Sequence, residues 1–114
     1  QTPETPNVLG IALLGRQMAR WDLDAVDAAT RAKAAAIAAV MPDEAFYVRD
    51  PAWRSLTTHC LRVDDPLAWK VRAESAGFEI GSGYGPLKAS CIRIATFPSV
   101  PLEQIERVLA ALSG

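Results

Sequence analysis

The sequence predicts an α+β fold, a small and mostly antiparallel sheet covered by helices. Three observations carry this expectation. Segments 55–63 and 91–97 alternate in the manner of strands, the second with Ile92, Ile94 and Thr96 on one side and Arg93, Ala95 and Phe97 on the other. Stretches with helical spacing and helix-capping residues lie before, between and after them. The chain has 114 residues, 50% hydrophobic and 22% charged, enough for one domain with a modest core. From residue 23 onward the predicted order is helix, strand, strand, helix, strand, strand, helix.

Asn7 is a suitable N-cap for a helix from Val8 to Trp21. That run is apolar nearly all round, with Val8, Leu9, Ile11, Leu13, Leu14 and Met18. A helix without a polar face needs cover on more than one side. Two placements satisfy this: an interface with another domain or subunit, or a central core position. Leu23 to Met41 reads as a second, alanine-rich helix capped by Asp22 or Asp24 and ended by Pro42. Its inward stripe is expected to be Val26, Ala29, Lys33, Ile37 and Val40, with the Lys33 stem along the core edge. Asp27 and Arg31 form an i,i+4 pair on it.

Ala45 to Val48 reads as a short strand, and Ser55 to Val63 as a longer one. Leu56, Thr58 and Cys60 share one face of the longer strand; Thr57, His59, Leu61 and Val63 share the other. Asp65 then caps a helix with Pro66 at its first position, and Gly77 is its expected stop. Phe78 to Ile80 is a third short strand. A glycine-rich loop, Gly81-Ser82-Gly83-Tyr84-Gly85-Pro86, leads into the strand Cys91 to Phe97. A last amphipathic helix runs from Pro101 to Leu112 with Ile105, Val108, Leu109 and Leu112 inward.

The composition excludes several function classes. A net charge of -1, from 12 Lys+Arg and 13 Asp+Glu, gives no basic surface for nucleic acid or anionic membrane. No apolar run is long enough to span a bilayer, and no signal-peptide pattern is visible. Cys60 and Cys91 make no disulfide framework, and a reduced, cytoplasmic setting is expected. One histidine, His59, is too few for a histidine-rich metal site, and no metal ligands are expected.

Two features could carry chemistry. The glycine-rich loop follows a strand but lacks the Gly-Lys-Ser/Thr ending of a P-loop, and a strand rather than a helix comes after it. It is either a plain connection or a ligand loop. Arg93 interrupts the strongest strand, between Ile92 and Ile94, so its guanidinium meets solvent, a partner or a cleft. Arginine is suited to bidentate carboxylate binding; a solvated strand charge is the competing reading. His59 reads as a structural side chain on a sheet face.

Two segments resemble the phosphoserine aminotransferases, class V enzymes of the fold-type I pyridoxal-phosphate (PLP) group. One is Glu4-Thr5-Pro6-Asn7-Val8-Leu9-Gly10-Ile11-Ala12-Leu13-Leu14-Gly15. The other is Gly77 to Lys88, followed by Ile92-Arg93-Ile94-Ala95-Thr96-Phe97-Pro98-Ser99. Arg54-Ser55 and Pro101-Leu102-Glu103-Gln104-Ile105 fit the same pattern. The resemblance implies that residues 1–22 are a loop and a crossover helix at a dimer interface. It implies that 23–114 is the C-terminal small domain, beside a large PLP-binding domain of the same protein in a homodimer. The implied activity is transamination of 3-phosphohydroxypyruvate with glutamate in serine biosynthesis.

The resemblance also implies roles. Arg93 stands where the family places the arginine that holds the substrate carboxylate. Thr5 matches a threonine that reaches the cofactor phosphate; Glu4 stands where the family has asparagine. The His-Arg pair with which some members bind the substrate phosphate is absent, and Tyr84 and Lys88 are the candidate substitutes. The Gly-Tyr-Gly-x-Leu-Lys form is also similar to the alanine–glyoxylate and serine–glyoxylate type of class V enzyme. Transamination needs a Schiff-base lysine, and Lys33, Lys70 and Lys88 all lie outside that sequence context. The chain alone is therefore expected to bind no PLP and to be inactive. A stand-alone α+β ligand-binding module is the alternative from another class.

Overall fold

A computed structural model describes residues 6–113 of the chain. Helix α1 is Val8–Met18, capped by the Asn7 side chain, which accepts from the Gly10 amide at 2.9 Å. It ends three residues before the expected Trp21. The amides of Arg20 and Trp21 instead bond to Gln17 and Met18 in a tighter turn. No residue of α1 is buried. Leu9, Ile11, Leu13 and Leu14 all lie open, so the central-core placement is overturned.

Helix α2 is Leu23–Val40, capped by Asp22 on the amides of Asp24 and Ala25. Asp27 and Arg31 pair at 2.7 Å on its exposed face. Its buried stripe differs from expectation: Thr30, Lys33 and Ile37 point inward, while Ala29 and Val40 are exposed. Thr30 can turn inward because its hydroxyl donates to the Val26 carbonyl at 2.8 Å. Lys33 is not at the core edge. It is 2% exposed, and its Nζ donates to the carbonyls of Phe97 at 2.8 Å and Val100 at 3.0 Å. Burial pulls its pKa down, and two charge-assisted bonds offset the cost of placing an ammonium there.

The expected strand at 45–48 shrinks to one bridge, Phe46 to Leu61, preceded by a 3-10 turn at Asp43–Ala45. Strand β1 is Thr58–Arg62, shorter than read because Ser55 caps the amides of Thr57 and Thr58 and holds the preceding residues in a turn. Helix α3, Pro66–Ser75, has the expected Asp65 cap and Pro66 start; Gly77 follows with φ of +77°. Strand β2 is only Gly81–Ser82, displaced from the expected 78–80, because these residues find the register of the next strand. Strand β3 is Cys91–Ala95 and helix α4 is Leu102–Ser113, burying Ile105, Val108, Leu109 and Leu112 as the periodicity requires.

The sheet order is β1-β3-β2, antiparallel throughout, so the last strand in sequence lies in the middle. Its inner face carries His59 and Leu61 of β1 and Ile92 and Ile94 of β3. These join Ile37, Phe46, Ala73, Ile80 and the inward side of α4 in one core. The outer face carries Thr58, Cys60, Arg62, Cys91, Arg93 and Ala95.

One buried polar group has its titration shifted by burial. His59 is 5% exposed, and its Nε2 lies 3.4 Å from the hydroxyl of Thr96, which donates to the Leu56 carbonyl. Burial lowers its pKa below the ordinary 6.5. The unfolded chain then binds the proton more readily than the folded one, so stability falls as pH drops below about 6.5. We expect the urea midpoint to fall more between pH 7 and pH 5 for the wild type than for His59→Gln; equal falls would locate that pH dependence elsewhere.

Candidate functional site: a guanidinium on the outer sheet face

Strand alternation decides where Arg93 points. Ile92 and Ile94 face the core, so Arg93 stands on the outer face, flanked by Cys60 of β1 and Gly81 of β2 in register. From there its side chain crosses β2. Nε donates to the Ser82 carbonyl at 2.7 Å, and Cζ lies 4.0 Å from the centroid of the Tyr84 ring. Nη1 and Nη2 have no hydrogen-bond partner among the described residues. An arginine carries five N–H groups, so this one has a fork of parallel donors left for an anion.

The glycine-rich loop is built around that side chain. A Cβ on Gly81 would sit 3.2 Å from Nη2 and 3.5 Å from Nε of Arg93. A Cβ on Gly83 would come within 2.4 Å of the Leu87 carbonyl oxygen. Gly83 thereby lets the 3-10 turn Gly85–Ala89 fold back against the end of β2, where the Gly83 amide bonds to the Cys91 carbonyl at 2.9 Å. Tyr84 is 71% exposed and presents its ring to Arg93. Lys88 is exposed in the last turn of the same 3-10 segment and forms no hydrogen bond or ion pair among the described residues. The structure thus brings Tyr84 to Arg93 and leaves Lys88 pointing to solvent on the neighbouring turn. Thr5, the candidate cofactor contact, lies outside the described residues.

Cys60 and Cys91 share the outer face with Arg93 and are free thiols. Burial, with Cys91 alongside, raises the Cys60 pKa, outweighing the pull of Arg93 and Arg62. A thiol held protonated is a poor nucleophile, so Cys60 adds no reactive group. Among the described residues no His, Cys, Asp or Glu cluster could hold a metal.

Sequence reading missed the work of Arg54. Its Nη1 pairs with Asp43 at 2.8 Å, its Nε and Nη2 donate to the carbonyls of Val48 and Arg49, and its Cζ lies 4.0 Å over Phe46. It staples the segment between α2 and β1, and no local pattern announces that. A cleft of about 310 Å³ lies beside it, lined by Ala34, Ala38, Phe46, Leu56 and His59. Its polar neighbours Arg54 and Ser55 are already bonded within the protein.

A PLP site asks for a reactive lysine, and the described residues hold three, Lys33, Lys70 and Lys88. The cofactor needs an amine that can form an imine, and the Lys33 amine is buried and engaged by two carbonyls. Lys70 on α3 and Lys88 on the 3-10 turn make no hydrogen bond or ion pair within a cradle among the described residues.

No protein-family model matches the chain, and no curated protein sequence matches it. A solved structure does. The chain superposes on a phosphoserine aminotransferase, SerC, from Cytophaga hutchinsonii ATCC 33406 with a TM-score of 0.85 and 35% sequence identity. The match covers 98% of this chain and 33% of that one, so this chain spans about a third of that protein's length. The fold is therefore that of a domain of an aminotransferase. No helix among the described residues is long and apolar enough to cross a membrane.

The loop makes one stability prediction. Gly83→Ala forces a backbone carbonyl aside and should cost about 1–3 kcal/mol, as overpacking does. Thermal or urea unfolding measures this; a neutral substitution would mean that the loop relaxes freely.

Proposed function

We propose that this chain is the small domain of a PLP-dependent aminotransferase of the phosphoserine type and that Arg93 grips the substrate carboxylate. The observation that carries the proposal is a guanidinium with two unengaged Nη groups, on the outer sheet face of a domain that matches a phosphoserine aminotransferase. A carboxylate offers two coplanar oxygens, and the Nη1/Nη2 edge offers two parallel donors to receive them. Binding there fixes one end of an amino or keto acid and orients the carbon beside it.

The chemistry of amino transfer would be supplied by PLP, held with its lysine by a large domain outside this chain. Thr5 is proposed to approach the cofactor phosphate. Tyr84 is proposed to line the substrate site beside Arg93, and Lys88 to meet the far end of the substrate as a point charge for a phosphate. A second reading follows from the Tyr84 ring lying against Arg93, which leaves Lys88 alone for a phosphate. On it the enzyme is a class V aminotransferase of the alanine–glyoxylate or serine–glyoxylate type. A cytoplasmic homodimer is proposed, with α1 and its open apolar surface between the large domain and the second subunit.

Two outcomes are expected of the full-length protein. Arg93→Ala should lower kcat/KM about 100-fold with PLP occupancy retained, since losing one partner of such a pair costs about 2–5 kcal/mol and each 1.4 kcal/mol is roughly tenfold. Arg93→Lys should recover only part, because an ammonium keeps the charge without the fork. Steady-state kinetics with L-phosphoserine and with L-alanine separate the two readings, and an unchanged Arg93→Ala enzyme would end the carboxylate assignment. Ile11→Asp and Leu14→Asp should convert the dimer to monomer in sedimentation velocity while the urea midpoint of the small domain holds; dimers surviving both would remove α1 from the interface.

A further inference from the structure

We infer that Gly81 and Tyr84 are positioning residues for Arg93, holding its guanidinium in one plane so that it meets an anion end-on, through Nη1 and Nη2 alone. This rests on the carboxylate reading above and adds how the grip is shaped.

Two contacts and one open space surround a single planar group. The Ser82 carbonyl takes the Nε hydrogen at 2.7 Å, and that bond removes the side-on fork formed by Nε and Nη2. The Tyr84 ring, its centroid 4.0 Å from Cζ, blocks the side on which it lies. Gly81 leaves open the space that a Cβ would narrow to 3.2 Å from Nη2. The end-on edge is what remains. A long arginine side chain ordinarily loses much rotamer freedom on binding. Here the sheet and loop have removed much of that freedom in advance, so the fork is ready before the ligand arrives.

The loop glycines gain a purpose that phosphate binding does not supply. Gly81 is not in the left-handed region, so an alanine fits its backbone, and its Cβ would crowd the guanidinium at 3.2 Å and push it from its place. The Tyr84 hydroxyl has no hydrogen-bond partner among the described residues, and the ring is what touches Arg93. Tyr84 therefore acts through Arg93, and a phenylalanine should serve nearly as well.

The test has two arms. In the 114-residue chain, the Arg93 Nε–Hε NMR signal should be shifted and slow to exchange in the wild type. It should move to the position of solvent-exposed arginines in Tyr84→Leu and Gly81→Ala, and return in Tyr84→Phe. A wild-type signal already at the exposed position, or one untouched by Tyr84→Leu, overturns the inference. In the full-length protein with L-phosphoserine, Tyr84→Leu should raise KM roughly two- to fivefold, the scale of a partly exposed cation–π contact, with a smaller change in kcat. Tyr84→Phe should recover most of that loss, and in an Arg93→Ala background Tyr84→Leu should add nothing. An equal loss in both backgrounds overturns the positioning role. A silent Arg93→Ala overturns the carboxylate reading instead, and the NMR arm still decides whether the guanidinium is held.

Discussion

Strand β3 is hydrogen-bonded on both sides, to β1 and to β2, and its register leaves no slack. A slip of one residue would exchange its two faces. Ile92 and Ile94 would leave the core, and Arg93 would be driven into it. The core cannot accept an unpaired guanidinium, so the packing of the inner face fixes the position of the cation on the outer face. The packing of one face and the direction of the guanidinium on the other are thus set by the same five residues. The helical layer reinforces the arrangement: α4 lies against α2 and α3, and α3 lies against β3.

The link from α2 to this strand is electrostatic as well as apolar. Lys33 reaches across the core to the turn that follows β3 and bonds to Phe97 and Val100. The Phe97 carbonyl also accepts the Val100 amide at 2.9 Å, so one oxygen closes the turn and receives the ammonium. That turn sets where α4 begins. A lysine placed on an alanine-rich helix is ordinarily a surface charge, yet this one holds two layers of the domain together.

Much of this was legible in the residues. The α+β class, the caps at Asn7 and Asp65, the stop at Gly77 and the four inward residues of α4 all follow from local chemistry, and the α2 cap was narrowed to Asp22 or Asp24. So does the outward direction of Arg93, which needs only the alternation of its neighbours. What was not legible depends on partners distant in sequence. Lys33 was read by stem length and not by the two carbonyls more than sixty residues away. Val40 fits a helical stripe, but α2 ends there and the core contact passes to Met41. The short strand at 45–48 had the right residue types and only one bridge to β1. Arg54 and the Arg93–Ser82 bond follow from loop paths, which periodicity does not describe. Thr5 falls where the structure describes nothing.

The strand order also constrains when this domain can form during synthesis. β1 and β2 run parallel, separated by the width of β3, and share no hydrogen bonds. Until residue 95 has left the ribosome neither has its partner, and the helices made earlier have no completed sheet to rest on. α4, which closes the core from above, comes later still. Folding of this domain therefore waits until β3 and α4 have emerged, because non-local pairing must wait for the strand that supplies it. A ribosome that stops in the glycine-rich loop releases this domain with α1, α2 and α3 but without β3 and α4, its core residues exposed to whatever chaperone or protease meets them first.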